Sequence, residues 1–259
     1  ATLSLTMGIA PPEGAAPPVQ WLADQLRQRA GGPVERALVF HADAVPRYVT
    51  ERYAGLFAPV YAQTQLALPF RAVMPSITPV CFASMYAGTD PQTHGVDRFF
   101  QPILSERLVQ PSIWGDTIVD ALVRAGRRVA VVTCSDGCIA SMLYGRGAQL
   151  YIIPGDDDQA MYEKALEVVR SGNYDVVFLY QLSYDAAMHR CGPESPESLE
   201  VLDTLAKRFE VLARTARQSW SGHSLLTVFN TDHGAHLAPD GGHHGEDIPQ
   251  DMELTWFFG

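Results

Sequence analysis

Residues 74–96, MPSITPVCFASMYAGTDPQTHGV, contain the signals that decide how this chain folds. Pro75 and Pro79 bracket a Ser-Ile-Thr segment, and a mostly apolar run follows as far as a glycine. Because proline suits the first position of a helix, the pattern predicts a helix that starts at Pro79, with Thr78 as its N-cap. A threonine there faces unpaired N–H groups and the positive end of the helix dipole, which favours an anion such as phosphate. An ordinary capping threonine is the alternative, and the rest of the chain decides between them.

Outward from this stretch, short apolar runs alternate with segments of helical periodicity. Strands are predicted at residues 37–40, 129–133, 149–153, 174–182, 225–230 and 253–259, and helices at residues 19–29, 46–62, 113–125, 157–171 and 196–219. This alternation favours an α/β fold of three layers, with a mostly parallel central sheet and helices on both of its faces. No internal repeat, linker or low-complexity segment is visible. We therefore predict one domain over residues 1–259, in which residues 1–33 form a peripheral N-terminal segment.

Composition and charge argue against several classes of function. The chain is 47% hydrophobic and 19% charged, which is typical of a globular protein with a sizeable core. A net charge of −10 without a Lys/Arg run argues against a nucleic-acid polymer as partner. No apolar run approaches the roughly 20 residues of a membrane span, and no signal peptide is recognisable, so we expect a cytoplasmic protein with no membrane partner. Four cysteines do not make a disulfide framework in a chain of this length, and free thiols are expected.

Aspartate and histidine gather where predicted strands end. The residues are Asp43, Asp185, Asp232, His189, His233, His243 and His244. Ligands of open parallel sheets bind outside the carboxyl ends of the strands, and a helical DAAMH segment would place Asp185 and His189 on one face. Carboxylate and imidazole are the ligands of zinc, manganese or iron. A set of surface turns rich in Gly, Asp and His is the alternative.

Five motifs occur in an order that resembles a known family. They are Asp43-Ala44, Pro75-Ser76-Ile77-Thr78, AGTDPQTHG at residues 87–95, DAAMHRCGP at residues 185–193, and Asp232-His233-Gly234 followed by His244-Gly245. From about residue 35 to its end the chain resembles the alkaline phosphatase superfamily, and most closely the type I phosphodiesterase/nucleotide pyrophosphatase branch. Each motif alone is weak, but five in order with the right internal spacing are specific. The resemblance implies an alkaline phosphatase-like fold.

The resemblance also implies roles for seven residues. Thr78 matches the nucleophile; Asp185, His189 and His244 match the ligands of one metal; Asp43, Asp232 and His233 match the ligands of the other. The family usually holds zinc and sometimes manganese, so two divalent ions are expected, with zinc favoured. A cation makes a threonine alkoxide accessible, and two cations about 4 Å apart clamp the attacking and leaving oxygens. The implied activity is hydrolysis of a small-molecule phosphoester through a phospho-threonine intermediate.

The chain departs from the family pattern at three positions. Ala44 and Met188 replace glycines, which leaves the implied ligands in place. Cys81 stands three residues after Thr78, where the branch usually has an asparagine, so the substrate class stays open. A formylglycine sulfatase is disfavoured, because Thr78 and Phe82 occupy positions where that enzyme needs a Cys or Ser and an Arg.

Three hypotheses of different kinds remain. The first is a two-metal phosphoester hydrolase that uses Thr78, with a phosphodiester, nucleotide, phosphonate or phosphomonoester as its substrate. The second is a non-catalytic descendant that binds a metal or an anion, and the third is a plain α/β domain whose Asp and His residues cap turns. The intact set of seven residues favours the first. His243 competes with His244 as a ligand, and the position before glycine favours His244. The oligomeric state is not indicated.

Overall fold

The computed structural model of the protein describes residues 1–97 and 113–259. The helices of these residues are α1 (Thr2–Thr6), α2 (Gln20–Ala30), α3 (Arg47–Arg52), a 3-10 helix (Ala54–Phe57), α4 (Ala58–Tyr61), α5 (Thr78–Ala87), α6 (Pro91–His94), α7 (Ile118–Arg124), α8 (Ile139–Leu143), α9 (Asp158–Ser171), α10 (Ser183–Cys191), α11 (Pro196–Ser219) and α12 (Pro249–Met252). The strands are β1 (Arg36–Ala42), β2 (Leu66–Arg71), β3 (Val129–Cys134), β4 (Gln149–Ile153), β5 (Val176–Gln181), β6 (Leu225–Asn230), β7 (His236–Ala238), β8 (Gly241–His243) and β9 (Glu253–Phe258).

One mixed sheet contains seven of these strands, in the order β2-β9-β6-β1-β5-β3-β4. The neighbours from β6 to β4 are all parallel, whereas β9 runs antiparallel to both β6 and β2. Strands β7 and β8 form a separate antiparallel hairpin. The predicted fold class, a mostly parallel sheet with helices on both faces, is confirmed.

The two faces of the central strand β1 carry different kinds of side chain. Phe40 points to the face covered by α11, where it packs edge-on against Phe209 and stacks on Phe229. His41 lies on the opposite face, where its ring packs edge-on against Phe82 of α5. Every residue of β1 is buried, as expected for a parallel strand covered on both faces. Helix α5 therefore covers the face of the sheet opposite to α11, near the carboxyl end of β1.

Residues near the N-terminus also contribute to the main hydrophobic core. Three residues of this region are buried in that cluster: Met7, which follows α1, and Leu22 and Leu26 of α2.

In the described parts of the chain no helix has both the length and the apolar character that a membrane crossing requires. That the chain forms one domain stays a prediction.

Helix α5 begins one residue earlier than predicted. Its N-cap is Ile77, which has an extended backbone with φ −130° and ψ 149°, and Thr78 is the first helical residue. The prediction of Thr78 as the N-cap is therefore wrong. Because a side chain at the first helical position does not cap its own helix, the Thr78 hydroxyl is left available to other partners.

Two other helical predictions are corrected at their boundaries. The helix predicted at residues 113–125 starts only at Ile118, because Thr117 and Asp120 form a capping box there. The segment predicted as helical at residues 46–62 is divided into α3, the 3-10 helix and α4.

Candidate metal centre

The seven residues singled out by the sequence come from separate elements that meet at one edge of the sheet. Asp43 follows β1; Asp232 and His233 follow β6; Thr78 begins α5; Asp185 and His189 lie on α10; His244 follows β8. Strands β1 and β6 are parallel neighbours, so their carboxyl ends place Asp43 and Asp232 side by side.

Three of these residues, Asp43, Asp232 and His233, form what we call the buried group. One candidate ligand atom from each lies within 4.8 Å of the others. The Nε2 atom of His233 is 3.4 Å from Oδ1 of Asp43 and 3.5 Å from Oδ2 of Asp232. All three side chains are at most 1% exposed. Two carboxylates and an imidazole are thus held together away from solvent.

A second set, Asp185, His189 and His244, forms the open group. The Oδ1 atom of Asp185 is 3.3 Å from Nε2 of His189 and 3.5 Å from Nε2 of His244. The side chain of His189 is 40% exposed, so solvent reaches this group. The rings of His244 and His233 stack with centroids 4.1 Å apart, and the two groups are therefore adjacent.

Each histidine of the two groups has its Nδ1 atom against a backbone carbonyl. The contacts are His233 to Gly234 at 2.9 Å, His189 to Gly242 at 2.8 Å and His244 to Ser76 at 3.1 Å. Since a carbonyl only accepts, the proton is assigned to Nδ1, and the lone pair of Nε2 faces the group. This is the tautomer and the support that metal-binding histidines use.

Three carboxylate oxygens of the two groups are buried without a hydrogen-bond partner in residues 1–97 and 113–259. They are Oδ1 of Asp43, Oδ1 of Asp185 and Oδ2 of Asp232. Burial, reinforced by the charge of Asp232, raises the pKa of Asp43 well above its usual range. Burial raises the pKa of Asp232 to about 7. A buried carboxylate is costly unless it is paired or coordinates a metal, so this donor set fits divalent cations.

The charge state of the open group differs from that of the buried group. Burial lowers the pKa of His244 to about 3, which keeps its imidazole neutral and able to act as a ligand. Burial works to raise the pKa of Asp185, but the close approach of His189 and the charges of the nearby histidines outweigh it, and the pKa is lowered. The open group therefore offers one ionised carboxylate.

Thr78 lies next to the buried group. Its Oγ1 atom is 3.1 Å from Nε2 of His233 and 3.5 Å from Oδ2 of Asp43. The hydroxyl thus lies beside the carboxylate of Asp43 and the imidazole of His233, where a cation held by the buried group could lower its pKa.

The start of α5 offers fewer donors to an anion than its sequence suggests. Pro79 has no N–H group, and the N–H groups of Val80 and Cys81 donate to the carbonyl of Ile77 at 3.1 and 3.0 Å. In the first turn, the N–H of Thr78 is the donor without a partner within the described residues. An anion at this helix start would receive one backbone hydrogen bond.

Two neighbours that sequence reasoning missed hold the aspartates of the buried group. The hydroxyl of Tyr180 on β5 donates to Oδ2 of Asp43. Ala44 has a positive φ of 62°, which directs its N–H to Oδ1 of Asp232 at 3.2 Å. The Ala44 conformation had a signal in the sequence, because the resembled family has glycine there, whereas nothing local marked Tyr180.

The side chain of His243 does not belong to either group. It is 52% exposed, and its Nε2 atom is 3.1 Å from Oδ1 of Asp240. The structure thus places His244, and not His243, beside Asp185. The thiol of Cys81 is buried and points to the carbonyl of Val73 at 3.9 Å, and all four cysteines are free.

Comparisons with known proteins bear on the family and the fold of the chain. A family profile described as type I phosphodiesterase/nucleotide pyrophosphatase matches residues 38–256. The curated proteins contain no significant match to the chain. Among solved structures, human ectonucleotide pyrophosphatase/phosphodiesterase 5 superimposes with a TM-score of 0.65 and 14% identity, covering 86% of this chain and 87% of that one. An inactive threonine-to-alanine variant of the murine protein, in complex with AMP, has a TM-score of 0.63, 13% identity and the same coverage.

A phosphonate enzyme has a similar fold. Phosphonoacetate hydrolase from Sinorhizobium meliloti 1021, in complex with phosphonoformate, has a TM-score of 0.57 and 18% identity over 77% of this chain. The chain spans 56% of the length of that enzyme. At these identities the likeness shows the fold alone. The family profile, in contrast, covers most of the sequence, and the chain therefore belongs to the type I phosphodiesterase/nucleotide pyrophosphatase family of the alkaline phosphatase superfamily.

Proposed function

We propose that this protein is a metal-dependent phosphoester hydrolase in which Thr78 is the nucleophile. The observation that carries the proposal is the position of the Thr78 hydroxyl, 3.1 Å from Nε2 of His233 and beside buried carboxylate oxygens that lack a partner among residues 1–97 and 113–259. Membership of a family of phosphoester hydrolases supports it. So does the inactivity of a threonine-to-alanine variant of the murine relative.

The two groups would hold two divalent cations. The buried group would bind one beside Thr78, and the open group would bind the other; zinc is favoured and manganese is the alternative, since carboxylate and imidazole serve both. When bound, the cations would lower the pKa of the Thr78 hydroxyl and of a water and offset the charge on the phosphoryl oxygens.

The residues of the chain then have distinct tasks. Asp43 and His233 fix the position of the Thr78 hydroxyl. The N–H of Thr78, which has no partner among residues 1–97 and 113–259, donates to a phosphoryl oxygen. The Thr78 oxygen forms a bond to phosphorus while the bond from phosphorus to the leaving group breaks, and the leaving group departs with the electron pair. Water cleaves the resulting phospho-threonine, which releases phosphate or a phosphomonoester and restores the hydroxyl.

Two classes of substrate are proposed for this reaction. A nucleotide phosphodiester is the first candidate, in line with the family and with AMP in the murine relative. A phosphonate is the second, in line with the phosphonoacetate hydrolase. The Cys81 thiol is buried and points to the carbonyl of Val73, so we infer that other residues select among these classes.

The test compares Thr78→Ala with Thr89→Ala, a matched control whose Oγ1 atom is buried without a hydrogen-bond partner in the part of the chain that the structure describes. Zinc content and the hydrolysis of bis(p-nitrophenyl) phosphate, p-nitrophenyl phosphate and phosphonoacetate are measured for each. We expect about two zinc ions per chain in all three proteins, and a loss of roughly 10³-fold or more in rate for Thr78→Ala only.

Other outcomes separate the alternatives. Activity retained by Thr78→Ala would refute the nucleophile assignment. Two zinc ions without hydrolysis of any of the three substrates would favour a non-catalytic, metal-binding descendant. A protein that takes up no zinc under repletion would refute the metal assignment.

A further inference from the structure

Helix α10 carries two residues of the open group, Asp185 and His189, but its own sequence provides no N-cap side chain. The N-cap position is Leu182, and a leucine cannot accept the N–H groups that every helix start leaves unpaired. A residue from another helix supplies the acceptors. The N–H groups of Leu182 and Ser183 donate to Oδ1 and Oδ2 of Asp158, both at 2.9 Å.

Asp158 is itself firmly held. It is the first residue of α9 and only 7% exposed. Its backbone carbonyl accepts from Nε2 of Gln181 at 3.0 Å, and Arg208 of α11 donates to Oε1 of Gln181 at 2.9 Å. A guanidinium nitrogen of Arg208 also lies 4.0 Å from Oδ2 of Asp158. Gln181 at the end of β5 therefore holds the backbone of Asp158, and Arg208 of α11 lies beside its carboxylate.

We propose that Asp158 is a positioning residue that sets α10, and with it Asp185 and His189, at the distance at which the open group binds a cation. The inference rests on the proposed function, because it assumes that this group binds a metal. Asp185 follows Ser183 by two residues in the first turn of α10, so a change at the anchored N–H groups displaces the carboxylate. Asp158 touches none of the three residues of the open group and acts only through the helix.

The substitution Asp158→Asn removes half of the anchor with little change in volume. The asparagine keeps one acceptor oxygen, but its amide nitrogen cannot accept the second N–H. A buried donor then has no partner, which favours a shift of the helix start. We expect the zinc affinity of the open group to fall by about 10- to 100-fold, the range found for residues that orient metal ligands.

Zinc titration against a competing indicator dye tests this prediction on each group separately. In an Asp232→Asn background the open group remains, and in a His189→Ala background the buried group remains. Asp157→Asn is the matched control: Asp157 is the adjacent residue, and its Oδ1 atom accepts the N–H of Ala160 within α9 rather than any atom of α10. The predicted result is weaker binding for Asp158→Asn in the Asp232→Asn background, and no change above about twofold in the His189→Ala background or for Asp157→Asn.

The contrary outcomes are equally specific. Equal losses at both groups would mean general destabilisation, and unchanged affinity at the open group would mean that α10 is positioned without Asp158; either result overturns the inference. If Asp158→Asn does not fold, Asp158→Ser, which keeps one small acceptor, replaces it in the same titrations. A wild-type protein that binds no zinc would refute the proposed function as well, whereas zinc binding unaffected by Asp158→Asn would refute this inference alone.

Discussion

Replacing Asp232 by asparagine should change stability in opposite directions with and without metal. Oδ2 of Asp232 is buried without a hydrogen-bond partner in the described ranges, and burial raises its pKa from 3.8 to about 7. A shift of about 3 units corresponds to a cost of about 4 kcal/mol for holding the ionised carboxylate in the metal-free fold. Asparagine removes this charge, and its Oδ1 can still accept the N–H of Ala44.

The sign of the pH dependence follows from linkage. Because the pKa is raised in the folded protein, the unfolded chain loses its proton first as the pH rises, and metal-free wild type loses stability between about pH 4 and pH 7. Asp232→Asn should therefore match wild type near pH 4 and exceed it by up to about 4 kcal/mol at pH 8 in the presence of a chelator. At saturating zinc the order should reverse, because the variant lacks one of the three ligands of the buried group.

Urea unfolding at pH 8, with chelator and with excess zinc, measures both effects in one protein pair. Wild type should gain about 7 kcal/mol at a free zinc concentration a hundred thousand times its dissociation constant. The variant should gain less than about 3 kcal/mol under the same conditions, because it lacks a ligand, so wild type becomes the more stable protein. A variant that is less stable than wild type in chelator would refute the argument that Asp232 is strained without a cation. Equal stabilisation of both proteins by zinc would refute its assignment as a ligand.

The other predictions concern the open group and the acid stability of the fold. His244→Ala should weaken zinc binding at the open group by at least about tenfold, whereas His243→Ala should not, because that ring is 52% exposed and pairs with Asp240; a titration with the opposite ranking would transfer the ligand role to His243. Gly242→Ala should destabilise the protein by about 1–3 kcal/mol in thermal melts, because a Cβ there would lie 2.6 Å from the carbonyl oxygen of Met188; an unchanged melt would contradict this packing. His94 accepts the N–H of Val96 at its Nδ1 atom, and burial lowers its pKa, so stability should fall as the pH drops below about 6.5. His94→Gln should flatten that slope in urea unfolding, and an unchanged slope would assign the acid sensitivity to other groups.

Part of the fold was predictable from sequence, because some apolar runs differ sharply from the residues on either side of them. Strands β4 and β6 begin and end at the predicted residues, because the apolar run is bounded by Gln149 and Pro154 in β4 and by Ser224 and Asn230 in β6. An aspartate that follows a buried parallel strand has to lie at the carboxyl edge of the sheet, which is why Asp43 and Asp232 could be placed together before any coordinates. Asp185 and His189 could be placed on one helix face for a different reason: the interval of four residues lies within a single helix.

Features that depend on packing between distant segments were not predictable. The hairpin of β7 and β8 has three residues in each strand and is rich in glycine, so it carries no period from which a strand could be read. It forms against α10, where the carbonyl of Gly242 accepts the Nδ1–H of His189. The anchoring of α10 by Asp158 was equally hidden, because Asp158 is a plain helix-start residue in its own segment.

The chain replaces an expected glycine at two positions near its candidate ligands. The fold accommodates the two replacements by different physical means. Met188 is fully buried, and its sulfur lies 2.7 Å from where a Cβ on Gly242 would stand; a glycine on the facing strand thus makes the room that the methionine takes up. Ala44 has no such relief. It keeps a φ of 62°, which costs an L-residue about 1–2 kcal/mol, and in return its N–H reaches Asp232. The Met188 replacement is accommodated by the space beside Gly242 and the Ala44 replacement by backbone strain. Both leave the candidate ligand atoms of each group within 4.8 Å of one another, close enough for one cation per group.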